Sequence, residues 1–386
     1  MSKVIYVQAQ ADYIASLSKG TPLSAIEELV WNALDAGARE VRIDLLTNSL
    51  GAAEALRISD DGEGIDVLRT ESTFGGLGGS WKRFQERSIS GRPLHGRHGC
   101  GRFKAFALGP IVEWRTTTRV GQDLLSYTIR GDIAKPGQFE IESAKGTGPA
   151  TGTEVYISPV HENVDLLLNT EETVRGLSAH FALYLKSYPN VRIYFNGLPV
   201  TPLIVQLRTT KQILHLSTGA EAKLEIIEWK KKFVGAGRII LAGEDGFRLH
   251  ELPSGVRSGN IPFTAYLVSP RFAALNAENA LVLDELHPEV RAYLDAVKKA
   301  LKTYFKVVAE DATAESIGQW IHEGSHPFGE DETAPDRKRF DSLALELSQK
   351  IESFSTMTPA DHKIIFELLK RAMGTVPKGS LKDLLK

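Results

Sequence analysis

One stretch constrains this chain more than any other: Ala25-Ile-Glu-Glu-Leu-Val-Trp-Asn-Ala-Leu-Asp-Ala-Gly-Ala38, followed by Ile58-Ser-Asp-Asp-Gly-Glu-Gly-Ile65. Ile26, Leu29, Val30 and Ala33 recur at helical spacing, so the first segment is a helix with one side made for a core. At 100° per residue, Glu28, Asn32 and Asp35 fall within about 60° of one another on the opposite side. Pro22 suits the first helical turn, and Ser24 with Glu27 has the spacing of a capping box. The second segment is a strand that enters a glycine-bracketed turn headed by Asp60.

Composition narrows the class without choosing a function. The chain has 386 residues, 42% of them hydrophobic and 24% charged, which predicts two or three ordinary globular domains. A formal net charge of -2 leaves any basic surface local. The single cysteine, Cys100, excludes an intrachain disulfide framework and a multi-cysteine zinc site. No apolar run approaches the roughly 18 residues of a membrane helix, and Met1-Ser-Lys-Val-Ile-Tyr lacks the pattern of a signal peptide. The expectation is a cytoplasmic protein without membrane contact.

The pattern along the chain predicts an α+β protein in three parts. Residues 1–160 read as a mixed domain: a strand at 3–8, a short helix at 12–17, the key helix, then strands at 41–46, 55–59, 111–117, 124–129, 139–143 and 153–157. Between them, 74–101 is rich in glycine and basic residues and has the length of a lid. Residues 165–310 read as a second α+β domain. It contains a helix at 170–186, a hairpin around Asn196-Gly197, strands at 223–230, 237–242, 246–252 and 263–269, and a helix at 287–305. Residues 311–386 read as helical, with a polar linker at 329–339 and an apolar stripe of Phe340, Leu343, Leu347 and Ile351. That stripe suits docking, dimerisation or simple packing.

The polar face of the key helix has the groups a magnesium nucleotide site needs. A neutral amide oxygen such as that of Asn32 can complete the shell of a hard cation, and a carboxylate one turn away, Glu28, can polarise an attacking water. Asp60 at a strand end can accept from an exocyclic amine, while Gly62 and Gly64 let backbone approach a flat base. Gly96-Arg-His-Gly-Cys-Gly-Arg102 is a glycine-rich loop entering a helix, a suitable anion cradle, with Lys82, Arg83, Arg97 and Lys104 as available cations. The chain has no G-x-x-x-x-G-K-[ST], so it is not a P-loop protein. Thr153, after Gly152, leads into a strand. Trp31 and Trp81 are expected to pack rather than to act.

Taken in order, these four segments resemble the four motifs of the GHKL superfamily, which spans gyrase, heat-shock chaperone, histidine kinase and MutL ATPases. Glu28-Leu-Val-x-Asn32-x-Leu-Asp35-Ala-Gly-Ala is very similar to the first motif of MutL. Asp60-x-Gly-x-Gly64, Gly96-x-x-Gly99-x-Gly101 and Gly152-Thr153 match the other three. The resemblance implies a Bergerat-type α/β sandwich binding ATP and Mg2+. It implies Glu28 as general base, Asn32 as magnesium ligand and Asp60 as adenine reader supported by Thr153, with Asp35 holding the network. The lid would supply Lys82, Gly96, Arg97, His98, Gly99, Cys100, Gly101, Arg102 and Lys104. Residues 74–82 also resemble lid segments of MORC-like and type IIB topoisomerase relatives, and 165–310 a transducer domain. In such domains a cation often reaches the terminal phosphate, and here Lys230, Lys231, Lys232, Arg257 and Arg271 are all available.

The function expected from this resemblance is a slow, ATP-driven clamp that dimerises as the lid orders, acting on duplex DNA. The alternatives are a chaperone-like ATPase with protein clients and a nucleotide-sensing subunit of a larger assembly, for example in defence. A histidine kinase fits worse, since only about 20 residues stand ahead of the first motif and a transducer-like region follows it. The chain is short for a complete clamp, so a partner subunit or a compact homodimer is expected.

Overall fold

A computed structural model of the chain describes residues 16–76, 91, 92, 94, 101–135, 137–143, 149–216, 218–232, 236–328, 335–351 and 353–375. The strand expected at 3–8 and most of the helix expected at 12–17 lie outside these residues.

The key helix, α1, spans Pro22–Asp35. Its cap is Thr21, whose hydroxyl accepts from the Ser24 amide at 3.2 Å, so the helix starts one turn before the Ser24–Glu27 box. Pro22 takes the first helical position, where its missing N–H costs nothing. Beyond it, β1 (Glu40–Thr47) and β2 (Ala53–Asp60) form an antiparallel pair. The short helices α2 (Thr70–Gly75) and α3 (Gly101–Lys104) flank the lid segment. Four strands follow: β3 (Ile111–Val120), β4 (Asp123–Asp132), β5 (Phe139–Ser143) and β6 (Gly152–Ile157).

The helix expected at 170–186 breaks at Phe181 into α4 (Thr170–His180) and α5 (Ala182–Ser187). The hairpin follows as β7 (Arg192–Phe195) and β8 (Leu198–Pro199), turned by Asn196 and Gly197 at φ 47° and 76°. That hairpin does not open a second sheet. β7 pairs in parallel with β1, giving an eight-stranded sheet in the order β5-β4-β3-β6-β2-β1-β7-β8. The first sheet therefore reaches about 40 residues past the boundary expected near residue 160. Ile26, Leu29, Val30 and Leu34 of α1 share its core with Leu56, Ile58, Val112, Ile129 and Phe195.

The second sheet has five strands in the order β12-β11-β13-β10-β9. A short helix, α6 (Pro202–Val205), leads into β9 (Gln206–His215), β10 (Glu221–Trp229), β11 (Arg238–Ala242), β12 (Arg248–Pro253) and β13 (Phe263–Val268). β9 was not foreseen: it is an edge strand, largely exposed, and lacks the alternation that marks a half-buried one. Next comes α7 (Arg271–Ala277). The α4–α5 segment faces two cores. Leu177, Phe181 and Tyr184 pack in the first, while Ala179, Ala182 and Leu183 pack with Ile227, Trp229, Ile240 and Tyr266 of the second sheet.

Both sheets belong to one compact unit, formed by residues up to 255 together with 260–297. The other unit takes in 256–259 and residues from 298 onward. Three helices furnish it: the later part of α8 (Pro288–His322), α9 (Pro335–Lys350) and α10 (Pro359–Thr375). α8 runs well past the end expected at Phe305. Within the expected linker, 335–339 form the first turn of α9 instead, because Phe340 is fully buried and draws them into a packed helix. Phe340 and Leu343 join Trp320, Phe328, Phe354 and Phe366 in this unit's own core, so the apolar stripe is used for packing. No described helix is long and apolar enough to cross a membrane.

Candidate functional site

The site begins with the strand register. β2 and β6 run antiparallel with Asp60 directly opposite Thr153, which joins two residues 93 positions apart. The Asp60 carboxylate accepts the Gly62 amide at 2.8 Å and also the backbone amide of Thr153. Burial nevertheless dominates and pushes its pKa up to about 6, with the neighbouring Asp61 adding a little to the rise. A carboxylate held there gains from a donor arriving from outside, such as an exocyclic amine.

The two glycines are places where backbone comes close. A Cβ on Gly62 would lie 2.8 Å from both the Ala36 carbonyl and the Asp60 carboxylate. Gly64 adopts φ +74°, and a side chain there would overlap the Thr117 carbonyl. Thr116 then links the layers: its hydroxyl accepts the Ile65 amide at 2.8 Å and lies 3.0 Å from the Thr153 hydroxyl. Thr116 was missed by motif reading, since it sits mid-strand with no signature of its own.

Asp61, next door, has a different task. Its Oδ1 accepts the amides of Arg39 and Glu40 at 2.7 and 2.8 Å, and the Glu63 amide donates to the Ala36 carbonyl at 2.8 Å. These bonds tie the turn after β2 to the end of α1. They bring the Asp60 end of the site and the helix face into one construction.

On α1, Glu28 and Asn32 are half-buried one turn apart, and Asp35 is buried. A Cβ on Gly101 would collide with the Glu28 carboxylate, so the start of α3 sits directly against Glu28. Asp35 and Arg92 both lie near Tyr184. Arg92 is itself buried and donates to the Ala38 carbonyl at 2.6 Å, anchoring this part of the lid segment beneath the end of α1. It carries no motif and was not foreseen.

Two residues expected to bind the nucleotide have other partners. Arg102 is buried over the Phe103 ring at 4.4 Å and donates to the Gly76 carbonyl at 2.8 Å, which is a packing role. Lys104 donates to the Lys19 carbonyl at 2.8 Å. Just after β10, Lys230 donates to the Ile204 carbonyl at 2.9 Å, and at the start of α7 Arg271 pairs with Glu289 at 2.8 Å. Lys82, Arg83, Gly96, Arg97, His98, Gly99, Cys100 and Trp81 lie outside the described residues. Trp31 packs in the core against Phe181, Tyr184 and Phe247, as expected. Among the described residues, no group of three or more His, Cys, Asp or Glu is arranged to hold a metal ion.

Residues 21–145 match the family model described as histidine kinase-, DNA gyrase B- and HSP90-like ATPase. The chain is also 29% identical over 183 residues to the DNA mismatch repair protein MutL of Akkermansia muciniphila, covering 45% of this chain and 26% of that one. The MutL protein of Pediococcus pentosaceus is 31% identical over 178 residues, covering 45% and 25%. That of Clostridium botulinum is 26% identical over 174 residues, covering 44% and 24%. The match thus spans about a quarter of the length of these relatives. Residues 21–145 therefore carry a GHKL-type ATPase sequence, and the N-terminal half of the chain is MutL-like.

Proposed function

We propose that this chain binds ATP with magnesium, hydrolyses it slowly, and uses the nucleotide to pair two copies into a clamp on duplex DNA. The observation that carries the reading is the join between two chemically distinct ends. Asp60 stands opposite Thr153 in the sheet, where it would take a base, and Glu28 with Asn32 stand on α1, where they would take phosphates; the Asp61 and Ala36 bonds hold the ends together.

Adenine would place its exocyclic amine on the Asp60 carboxylate, with Gly62 letting the turn pack closely on Ala36 beside it. Asn32 would hold the magnesium ion, which when bound screens the phosphate charge. Glu28 takes a proton from water as the water oxygen bonds to the terminal phosphorus. The bridging phosphorus–oxygen bond breaks, and ADP and phosphate leave. The closeness of Gly101 to Glu28 ties the end of the lid segment to the base, so lid order and chemistry are linked. The DNA client is supported by the relatives' names, which are those of DNA mismatch repair proteins.

The test is ATP binding and turnover by the wild type and Glu28→Ala, with duplex DNA binding over a salt series with and without a nonhydrolysable ATP analogue. Glu28→Ala is expected to bind ATP and not turn it over, and DNA affinity to rise with the analogue and fall steeply with salt. Normal turnover by Glu28→Ala would sink the base assignment. Absence of DNA binding in both nucleotide states would sink the DNA client.

A further inference from the structure

The rear of α1 meets a cluster that the ATP site does not use. Glu27 and Trp31 form an i,i+4 stripe one residue ahead of Glu28 and Asn32, which form another. The rear stripe ends on His180, the last residue of α4. Trp31 Nε1 donates to His180 Nε2 at 3.0 Å, and His180 Nδ1 lies 3.1 Å from Glu27 Oε1. Arg248 of β12 approaches the same Nδ1 at 2.6 Å and pairs with Glu251, which also binds Arg238 of β11. Phe247 meets the Trp31 ring edge to face with centroids 5.5 Å apart, and Tyr266 of β13 donates to the Ala179 carbonyl. Residues of the second sheet therefore gather around His180 at the end of α4, which in turn touches Trp31 and Glu27 of the helix that carries Glu28.

The chemistry of the cluster selects one arrangement. An indole N–H only donates, so Nε2 of His180 must offer a lone pair and the ring proton sits on Nδ1. That N–H goes to Glu27. Arg248 also only donates, so it cannot share the protonated nitrogen; its charge is held by Glu251 and attracted by Glu27. Burial lowers the pKa of His180, and Arg248 lowers it further while Glu27 opposes, so the neutral ring is favoured.

We propose that Trp31, His180, Glu27 and Arg248 are a positioning network through which the second sheet sets the placement of α1, and with it Glu28 and Asn32. Because the two stripes are offset by a single residue on one rigid helix, any shift that the network permits moves the base and the amide together. The consequence for turnover rests on the ATPase reading; the mechanical part does not.

The test compares full-length wild type with Arg248→Met, which removes the sheet's charge, and Trp31→Phe, which removes only the indole donor and keeps a ring. Amide hydrogen exchange is followed in α1, with β3–β4 as the internal reference. Exchange in α1 is expected to quicken by about fivefold or more in both variants, with β3–β4 unchanged. In turnover assays, kcat is expected to fall about tenfold with KM for ATP held within about twofold, since an interaction that places the base acts on the chemical step. Unchanged α1 exchange in both variants would overturn the proposal, as would equal quickening of β3–β4 or parallel losses in kcat and ATP affinity. If the wild type turned over no ATP, the hydrolysis reading would fail and the exchange result alone would decide the network.

Discussion

The two ends of the site are built by different means. The Asp60 end is made from strand register: Asp60, Thr153 and Thr116 stand on three adjacent strands, and their spacing follows once β2, β6 and β3 pair. The Glu28 end stands on one face of a helix whose placement depends on what packs behind it. Ladder hydrogen bonds hold the first end locally, whereas the second, as proposed, is placed through Trp31, His180 and Arg248, residues up to 217 positions apart in sequence. If the proposed function holds, the difference teaches that recognition is prebuilt, while the chemical step is open to adjustment from the second sheet.

Glu28→Ala tests that division most severely. Turnover is expected to fall about 10²–10⁴-fold with ATP affinity retained, by steady-state kinetics against equilibrium binding. Asp60→Asn is the complementary break. Losing a charged acceptor is expected to cost about 1.5–3 kcal/mol of ATP affinity, while the unliganded protein becomes more stable because a buried charge is gone. A binding titration and a melting curve check both signs.

The same carboxylate gives a pH signature. Its pKa is raised from 3.8 to about 6, so the folded chain holds this proton more tightly than the unfolded chain does. Ionised Asp60 therefore costs stability above pH 6, on the order of 3 kcal/mol, and that cost disappears as pH falls from about 6 towards 3.8. ATP affinity is expected to move the other way, weakening below about pH 6 as the acceptor is neutralised. An affinity flat from pH 7.5 to 5 would separate Asp60 from the ligand.

Gly62→Ala sharpens the comparison from the steric side. A methyl 2.8 Å from the Ala36 carbonyl forces the turn to move, with an expected loss of about 1–3 kcal/mol in stability and a matching loss of ATP affinity, read by denaturant titration and binding. Thr153→Val should be the mildest change. Thr116 keeps a second acceptor in the Gly152 carbonyl at 3.3 Å, so about 1 kcal/mol is expected by the same measurements.

Much of this was legible in the sequence. The α1 pattern, most strand positions and the Asp60 turn are local signals, and local periodicity survives folding. Three kinds of feature were not legible. β9 and α7 lack strong periodicity, and β9 lies at an edge where nothing demands an apolar face. The hairpin at Asn196-Gly197 was visible, yet its parallel seat beside β1 depends on a crossover that no short window contains. Arg92, Thr116 and Asp61 each act through a side chain bonded to backbone, a role that carries no motif.

The sequence by itself determined that α1 has a core side and a polar side, and that an acidic glycine turn follows it, because residue order sets which side chains share a helix face. Only the tertiary structure decided what those faces meet. It seated Thr153 opposite Asp60, pressed Gly101 onto Glu28, buried Arg102, and put His180 and Arg248 behind Trp31. The physical reason is that partners far apart in the chain are chosen by strand pairing and by the fit between cores, which no local pattern encodes.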